Sequence, residues 1–261
     1  MEKIPQKQEN SLEKENFEPQ IIFDFIRHGE AEYGPELKRK FIELGFDWDK
    51  LMSASKITKE EIKEPASLEG RLTPEGKVQL RGSISGLVEK IDKDNENIMV
   101  LYSPRFRAVD STNIILEELE RQGVDVFKAR EHNNLIDMKK HWISILEFVK
   151  EKEGEKKEPF RYWLNMSEQE LKDADLEGFK DVGQRIDHFI QLIKRYFRVY
   201  KDKLNLDKKK LRVVAVTHDM NILSALKKEG ATPEEADLIK NADIVELGID
   251  KEGNRKLIFK Q

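Results

Sequence analysis

The chain has 261 residues, of which 38% are charged and 38% hydrophobic, and 47 Lys and Arg stand against 51 Asp and Glu for a formal net charge of -4. That length suits one large domain with its own core, and the mild acidity excludes a protein that grips nucleic acid through a dominant basic face. There is no cysteine, which excludes disulfides, thiolate metal sites and cysteine nucleophiles, and no run of about 18 apolar residues offers a membrane span.

Residues 1–20 contain no apolar signal core and read as a charged, flexible leader, so a cytoplasmic location is expected. IIFDFIR (21–27) is a short apolar run of the kind that forms a strand buried on both faces. A helix is expected over 72–91, with Thr73 as cap, Pro74 at its first position and an apolar stripe of Val78, Leu80, Ile84, Leu87, Val88 and Ile91. NIMVLYS (97–103) is a second strand, and 104–123 a helix opened by Pro104 and closed at Gly123. The alternation in 124–129 predicts a strand exposed on one side. A long amphipathic helix over 179–204 carries Val182, Ile186, Phe189, Ile190, Ile193 and Phe197 at helical spacing. LRVVAVTH (211–218) is a third buried strand, followed by a helix from Asp219, and 242–260 reads as a β-hairpin turning near Lys251 to Asn254.

Strands alternate with helices, so the expected fold is a Rossmann-like three-layer α/β/α domain over 21–261 with a mainly parallel sheet. Two stretches, about 31–70 and 132–178, break that rhythm and read as helical and loop insertions over the end of the sheet that carries the active site. Ligands of such sheets bind beyond the carboxyl ends of the strands. At those ends stand RHGE (27–30), SPRFRA (103–108) and THD (217–219), so all three buried strands lead into an Arg or a His. Cationic side chains that converge on one sheet edge call for a shared anion.

The motifs RHGE, LTPEG, SPRFRA and VTHD, in this order, resemble those of the histidine phosphatase superfamily, which includes the phosphoglycerate-mutase-like enzymes. The resemblance runs from residue 21 to about 250 and covers the two insertions least. It implies that His28 is the nucleophile that accepts a phosphoryl group, with its tautomer set by the Gly29 carbonyl. It implies that Arg27 and Arg107 clamp the phosphate and that His218 helps to neutralise the transferred oxygens. It also implies that no metal or cofactor is needed. Glu30 lies beside Gly29 as a supporting residue.

For the general acid the resemblance leaves three candidates. Glu131 in Arg130-Glu131-His132-Asn133 is the first choice, Asp137 in Leu135-Ile136-Asp137 is a shifted alternative, and Asp219 of His218-Asp219 answers to the acid-phosphatase branch. The chain lacks the hydroxyl residue and the Asn that follow RHG in many relatives, where it reads Glu30-Ala31-Glu32-Tyr33-Gly34. It also lacks the Glu-Ser pair before the long helix and the Gly-x-Trp-Glu-Gly segment after the acid. These losses count against a mutase, which must hold its intermediate for re-addition. The expected function is therefore metal-independent hydrolysis of a small phosphomonoester through a phosphohistidine on His28, and phosphate or sulfate should fit the pocket. A phosphoglycerate-type mutase and an inactive phosphate-pocket protein are the alternatives.

Other polar and aromatic residues carry plainer expectations. His188 reads as a helix-surface residue and His132 and His141 as loop surface, while Arg105 is near enough to Arg107 to reach a substrate. Tyr33, Trp142, Tyr162 and Trp163 read as packing of the insertions. The segment 82–86 lies inside a helix and is no serine-hydrolase elbow. There is no phosphate-binding loop, dinucleotide fingerprint or HExxH.

Overall fold

The computed structural model describes residues 17–31, 39, 70–137, 148, 151–152, 166–200, 210–229 and 239–260. Within them the chain forms, in order, β1 (Ile21–Arg27), α1 (Pro74–Val88), β2 (Glu96–Tyr102), α2 (Phe106–Arg121), β3 (Val126–Glu131), α3 (Glu168–Asp173), α4 (Phe179–Tyr200), β4 (Lys210–Thr217), α5 (Asp219–Lys228), β5 (Ile244–Ile249) and β6 (Arg255–Lys260). One six-stranded sheet results, ordered β3-β2-β4-β1-β5-β6. β3, β2, β4 and β1 are mutually parallel, while β5 and β6 run antiparallel as the C-terminal hairpin. Gly253, at φ +95, supplies the hairpin turn.

Helices cover both faces. Leu80, Ile84 and Leu87 of α1 and Ile115 and Leu119 of α2 pack on one face against Ile26, Val100 and Val214. Val182, Ile186, Phe189 and Ile193 of α4 and Ile222 of α5 pack on the other against Phe23, Phe25 and Val213. Thr73 caps α1, accepting from the Gly76 amide at 2.9 Å, and Pro74 opens it. One member of the expected α1 stripe is misplaced: Val78 is 62% exposed. Two residues from Leu80 is about 200° around a helix, so Val78 points away from the face that Leu80 and Ile84 share. α2 begins at Phe106, two residues beyond Pro104, with Arg105 as a cap residue that makes no side-chain cap bond.

The sheet already engages Gln20, whose amide donates to Ile249 O at 2.8 Å. Residues 1–16 of the expected leader and most of the two expected insertions, including Tyr33, His141, Trp142, Tyr162 and Trp163, lie outside the described residues. Among the described residues no helix is long and apolar enough to cross a membrane.

β4 is the strand whose connection differs from its neighbours'. The chain leaves β1 and β2 towards the face of α1 and α2, but leaves β4 towards the face of α5. A crevice must open where adjacent parallel strands send their loops to opposite faces. It lies at the carboxyl edge, above β1, β4 and β2.

The other end of the sheet holds a buried ion cluster that the sequence reading did not foresee. Arg212 on β4 reaches Asp24 on β1 at 3.0 Å, Glu96 on β2 at 2.6 Å and Glu246 on β5 at 3.2 Å. Three carboxylates against one guanidinium leave an excess of negative charge, which Lys90 at the end of α1 only partly offsets. Burial is the main force that pushes Asp24 up to about 7, opposed by Arg212 and reinforced by Glu246 and Glu96. A carboxyl whose folded value is raised binds more protons folded than unfolded, so its contribution to stability is full below its ordinary 3.8 and is lost as pH rises through about 7. The thermal midpoint should therefore fall between about pH 4 and pH 7, and Asp24→Asn should flatten that slope. An equal slope in the variant would remove Asp24 as its source.

Candidate active site

The site begins where β1 ends. The backbone carries His28 onward with its amide donating to Thr217 O on β4 at 3.0 Å, which fixes the histidine at the β1–β4 seam. Gly29 follows because nothing larger fits: a Cβ there would stand 2.5 Å from Gly76 O and 3.0 Å from Leu80 Cδ1. Gly76 is held to glycine in return, since its Cβ would meet Glu30 O at 2.2 Å. The strand end and the start of α1 therefore approach backbone to backbone, and Thr73 N bonds Glu30 O at 3.0 Å across the contact.

Two bonds set the His28 tautomer. Arg107 Nε, which can only donate, lies 3.0 Å from His28 Nε2, and His28 Nδ1 lies 2.7 Å from Gly29 O. Nε2 therefore holds the lone pair and Nδ1 the proton. His28 is held well below its usual 6.5, first by burial and then by Arg107, His218 and Arg27, with the Gly29 carbonyl pulling the other way. At neutral pH the ring is uncharged, and the nitrogen that holds its lone pair faces a guanidinium.

Arg107 reaches three partners. Besides His28, its Nη2 lies 3.2 Å from His218 Nδ1 and 2.7 Å from Asp137 Oδ2. His218 must accept that bond, so its other nitrogen carries the proton and donates to Ser103 Oγ at 2.8 Å. Burial is the main cause that lowers His218 to about 3, against the pull of Asp137. In the free site His218 is thus a neutral ring, and the positive field comes from arginines. The two imidazole rings stand edge to face, 5.1 Å between centroids.

Arg27 enters from the other side of the crevice. Its Nη1 donates to Ile239 O at 2.6 Å, and its Nη2 pairs with Asp219 at 3.2 Å. Its Nε is buried with no hydrogen-bond partner. A buried guanidinium N–H without an acceptor is costly, and a bound anion would satisfy it.

The three acid candidates fall in different places. Asp137 is in the cluster: it bridges Arg105 Nε at 3.2 Å and Arg107 Nη2 at 2.7 Å, and comes within 4.0 Å of His218. Asp219 is bound to Arg27 and accepts from the Met220 amide at 2.8 Å at the start of α5. Glu131 is exposed at the end of the edge strand β3, which stands three strands from β1, about 14 Å at the usual ~4.8 Å spacing. Distance along the sheet, which sequence order conceals, separates it from the other four. Glu30 is buried against the start of α1, and burial, then Glu75, raises its carboxyl above the usual value.

Several residues that hold the site were not singled out from sequence. Asn221 donates to Leu135 O at 2.8 Å and Ile136 O at 3.0 Å, and Thr217 Oγ1 donates to Leu135 O at 2.8 Å. Arg185 of α4 donates to the carbonyls of Ile136 and Asp137. Together they tie the segment that carries Asp137 to β4, α5 and α4. Ser111 accepts from the Gly29 amide at 3.2 Å and so steadies the His28 loop. Of these, Thr217 and Asn221 flank the His218-Asp219 pair in the sequence. His188 is exposed as expected, whereas His132 is half-buried with its ring 4.9 Å from that of Phe189. Among the described residues no group of three His, Cys, Asp or Glu is placed to hold a metal ion.

No family model matches the chain, and no curated protein matches it. Solved structures do. A mycobacterial hydrolase matches with a TM-score of 0.53 at 15% identity, over 91% of this chain and 89% of its own. Mycobacterial glucosyl-3-phosphoglycerate phosphatase matches with a TM-score of 0.51 at 15% identity, over 91% and 96%. The alpha-ribazole phosphatase of Shigella flexneri matches with a TM-score of 0.51 at 13% identity, over 92% and 95%. The likeness is one of fold: the chain has the histidine phosphatase fold.

The two buried rings give a direct test of the electrostatics. In NMR titrations the side-chain resonances of His28 and His218 should stay still from about pH 8 to about pH 5.5, because both protonate below the ordinary range. A midpoint near the usual 6.5 for His28 would contradict its burial beside the guanidiniums of Arg107 and Arg27.

Proposed function

We propose that this protein, which has the histidine phosphatase fold, is a metal-independent phosphomonoesterase that works through a phosphohistidine on His28. The observation that carries the proposal is the His28 ring: buried, unprotonated, its Nδ1–H held by Gly29 and its Nε2 lone pair aimed at Arg107.

A phosphomonoester dianion entering the crevice competes for the N–H groups of Arg107 and for the unpartnered Nε of Arg27. Drawing Arg107 towards phosphate oxygens frees the Nε2 lone pair, so the ground-state bond guards the nucleophile until an anion arrives. His28 Nε2 then attacks phosphorus as the bond to the leaving oxygen breaks. The arginines stabilise charge on the three equatorial oxygens. The phosphate also raises the proton affinity of the neutral His218, which can then donate to an oxygen.

In this proposal Asp137, rather than Glu131, protonates the leaving oxygen. Its carboxylate is tied to Arg105 and Arg107 in the free site. Once those guanidiniums turn to the phosphate, the added negative charge favours a protonated Asp137. In the second half-reaction water attacks phosphorus, the Asp137 carboxylate takes its proton, and the N–P bond breaks to release inorganic phosphate and His28. A small phosphorylated molecule is the substrate class.

Two experiments test this reading. The wild type should release inorganic phosphate from an aryl phosphate in the presence of a chelator, and His28→Ala should abolish release. Full activity in that variant removes the nucleophile, transfer of the phosphoryl group within a sugar acid supports a mutase, and silence on a broad ester panel supports a binding protein. For the acid, Asp137→Asn should slow a poor alkyl leaving group by about 10²-fold or more and an aryl one far less. Glu131→Gln and Asp219→Asn should not separate the two leaving groups. If Glu131→Gln alone does so, the acid is Glu131.

A further inference from the structure

Along β3 the alternation of side chains sends Lys128 and Arg130, and then His132, to the face covered by α4. Arg195 of α4 meets them across a groove of about 390 Å³. Leu192 and Tyr196 give the groove an apolar wall, and Lys128 Nζ lies 5.0 Å from the centre of the Tyr196 ring. Lys128, Arg130 and Arg195 make no ion pair with any carboxylate among the described residues. Elsewhere in the described residues most arginines are matched, as Arg185 is by Glu177 and Arg255 by Asp187. Three cationic side chains around one concavity give it a positive potential that favours an anion.

The groove is separate from the catalytic crevice. Arg185, which holds the Asp137 segment, lies on the same helix as the groove residues Leu192 to Val199. At ~1.5 Å per residue they stand about 10 to 20 Å further along it. The His132 ring, at the near end of the groove, packs edge to face on Phe189. A volume of this size suits a small molecule and is too small for a folded partner. The exposed Leu192 and Val199, at 39% and 47%, offer an apolar surface that a simple inorganic ion would leave wet.

We propose that this groove is a second anion site, which takes an organic anion joining a flat apolar body to a phosphate, sulfonate or carboxylate group. The anionic group sits among Arg130, Arg195 and Lys128, and the body lies against Leu192 and Tyr196. The proposal stands whether or not His28 is a nucleophile.

Naphthalene-1-sulfonate is the probe, titrated calorimetrically into the full chain. Arg130→Gln/Arg195→Gln should weaken its binding about tenfold or more, since two charge-assisted bonds are lost. Arg107→Gln, in the catalytic crevice, should change it by less than about twofold. Naphthalene-1-methanol, with the same body and no charge, should bind wild type at least about tenfold more weakly. Both groove arginines are exposed, so the double variant should melt as wild type does. In wild type the sulfonate should also shift the amide resonances of Lys128 and Tyr196 and leave those of Gly29 and Arg107 in place, a readout that needs no variant. Equal affinity in the double variant, loss confined to Arg107→Gln, equal binding of the alcohol, or shifts at Gly29 in place of Tyr196 would each overturn the proposal.

Discussion

Arg107 donates from a buried position to His28 Nε2 and His218 Nδ1 and pairs with Asp137. Because a guanidinium can only donate, each of these contacts dictates the state of its partner. Both imidazoles must offer a lone pair, which puts their protons on the far nitrogens, against Gly29 O and Ser103 Oγ. Asp137 is drawn in as a carboxylate although it comes from a segment beyond the edge strand. The chemistry proposed for the crevice depends on this one side chain releasing its partners when a better acceptor arrives.

The scaffold makes that arrangement rigid by geometry rather than by many side-chain bonds. β1 and β4 are adjacent and parallel, so Arg27 and Thr217 are in register and His28 and His218 leave the sheet side by side. Gly29 and Gly76 let the start of α1 press against the loop that carries His28, closer than any side chain would permit. The Asp137 segment is held differently, through backbone carbonyls gripped by Asn221, Thr217 and Arg185.

Charge is distributed along the sheet in opposite senses. The carboxyl edge concentrates arginines around neutral histidines, while the amino end buries three carboxylates around Arg212. A buried ion cluster of this kind is weak evidence for net stability, since desolvation cancels much of the attraction, but removing one member leaves the rest uncompensated. Its effect here is to tie β1, β2, β4 and β5 to one guanidinium at the end of the sheet away from the crevice.

The order of elements, the parallel sheet, and the motifs at three strand ends were legible in the sequence, because short apolar runs and capped helices are local patterns. IIFDFIR forms a strand buried on both faces and Thr73-Pro74 opens a helix for reasons confined to a few residues. Even there Val78 shows the limit, since it belongs to the apolar pattern yet stands about 200° around the helix from Leu80. What lies across the sheet was not legible. Glu131 follows a strand in sequence much as His28 and His218 do, but β3 is the outer strand, and only strand order reveals that. Asp137 enters the cluster because its backbone is caught by residues 48 to 86 positions away. Asp24 and the unmatched cations of the β3–α4 groove likewise acquire meaning only from neighbours on other elements. Local patterns are enough to say which residue types stand at the strand ends; which of them meet depends on register and strand order across the sheet, and neither is a property of any local stretch.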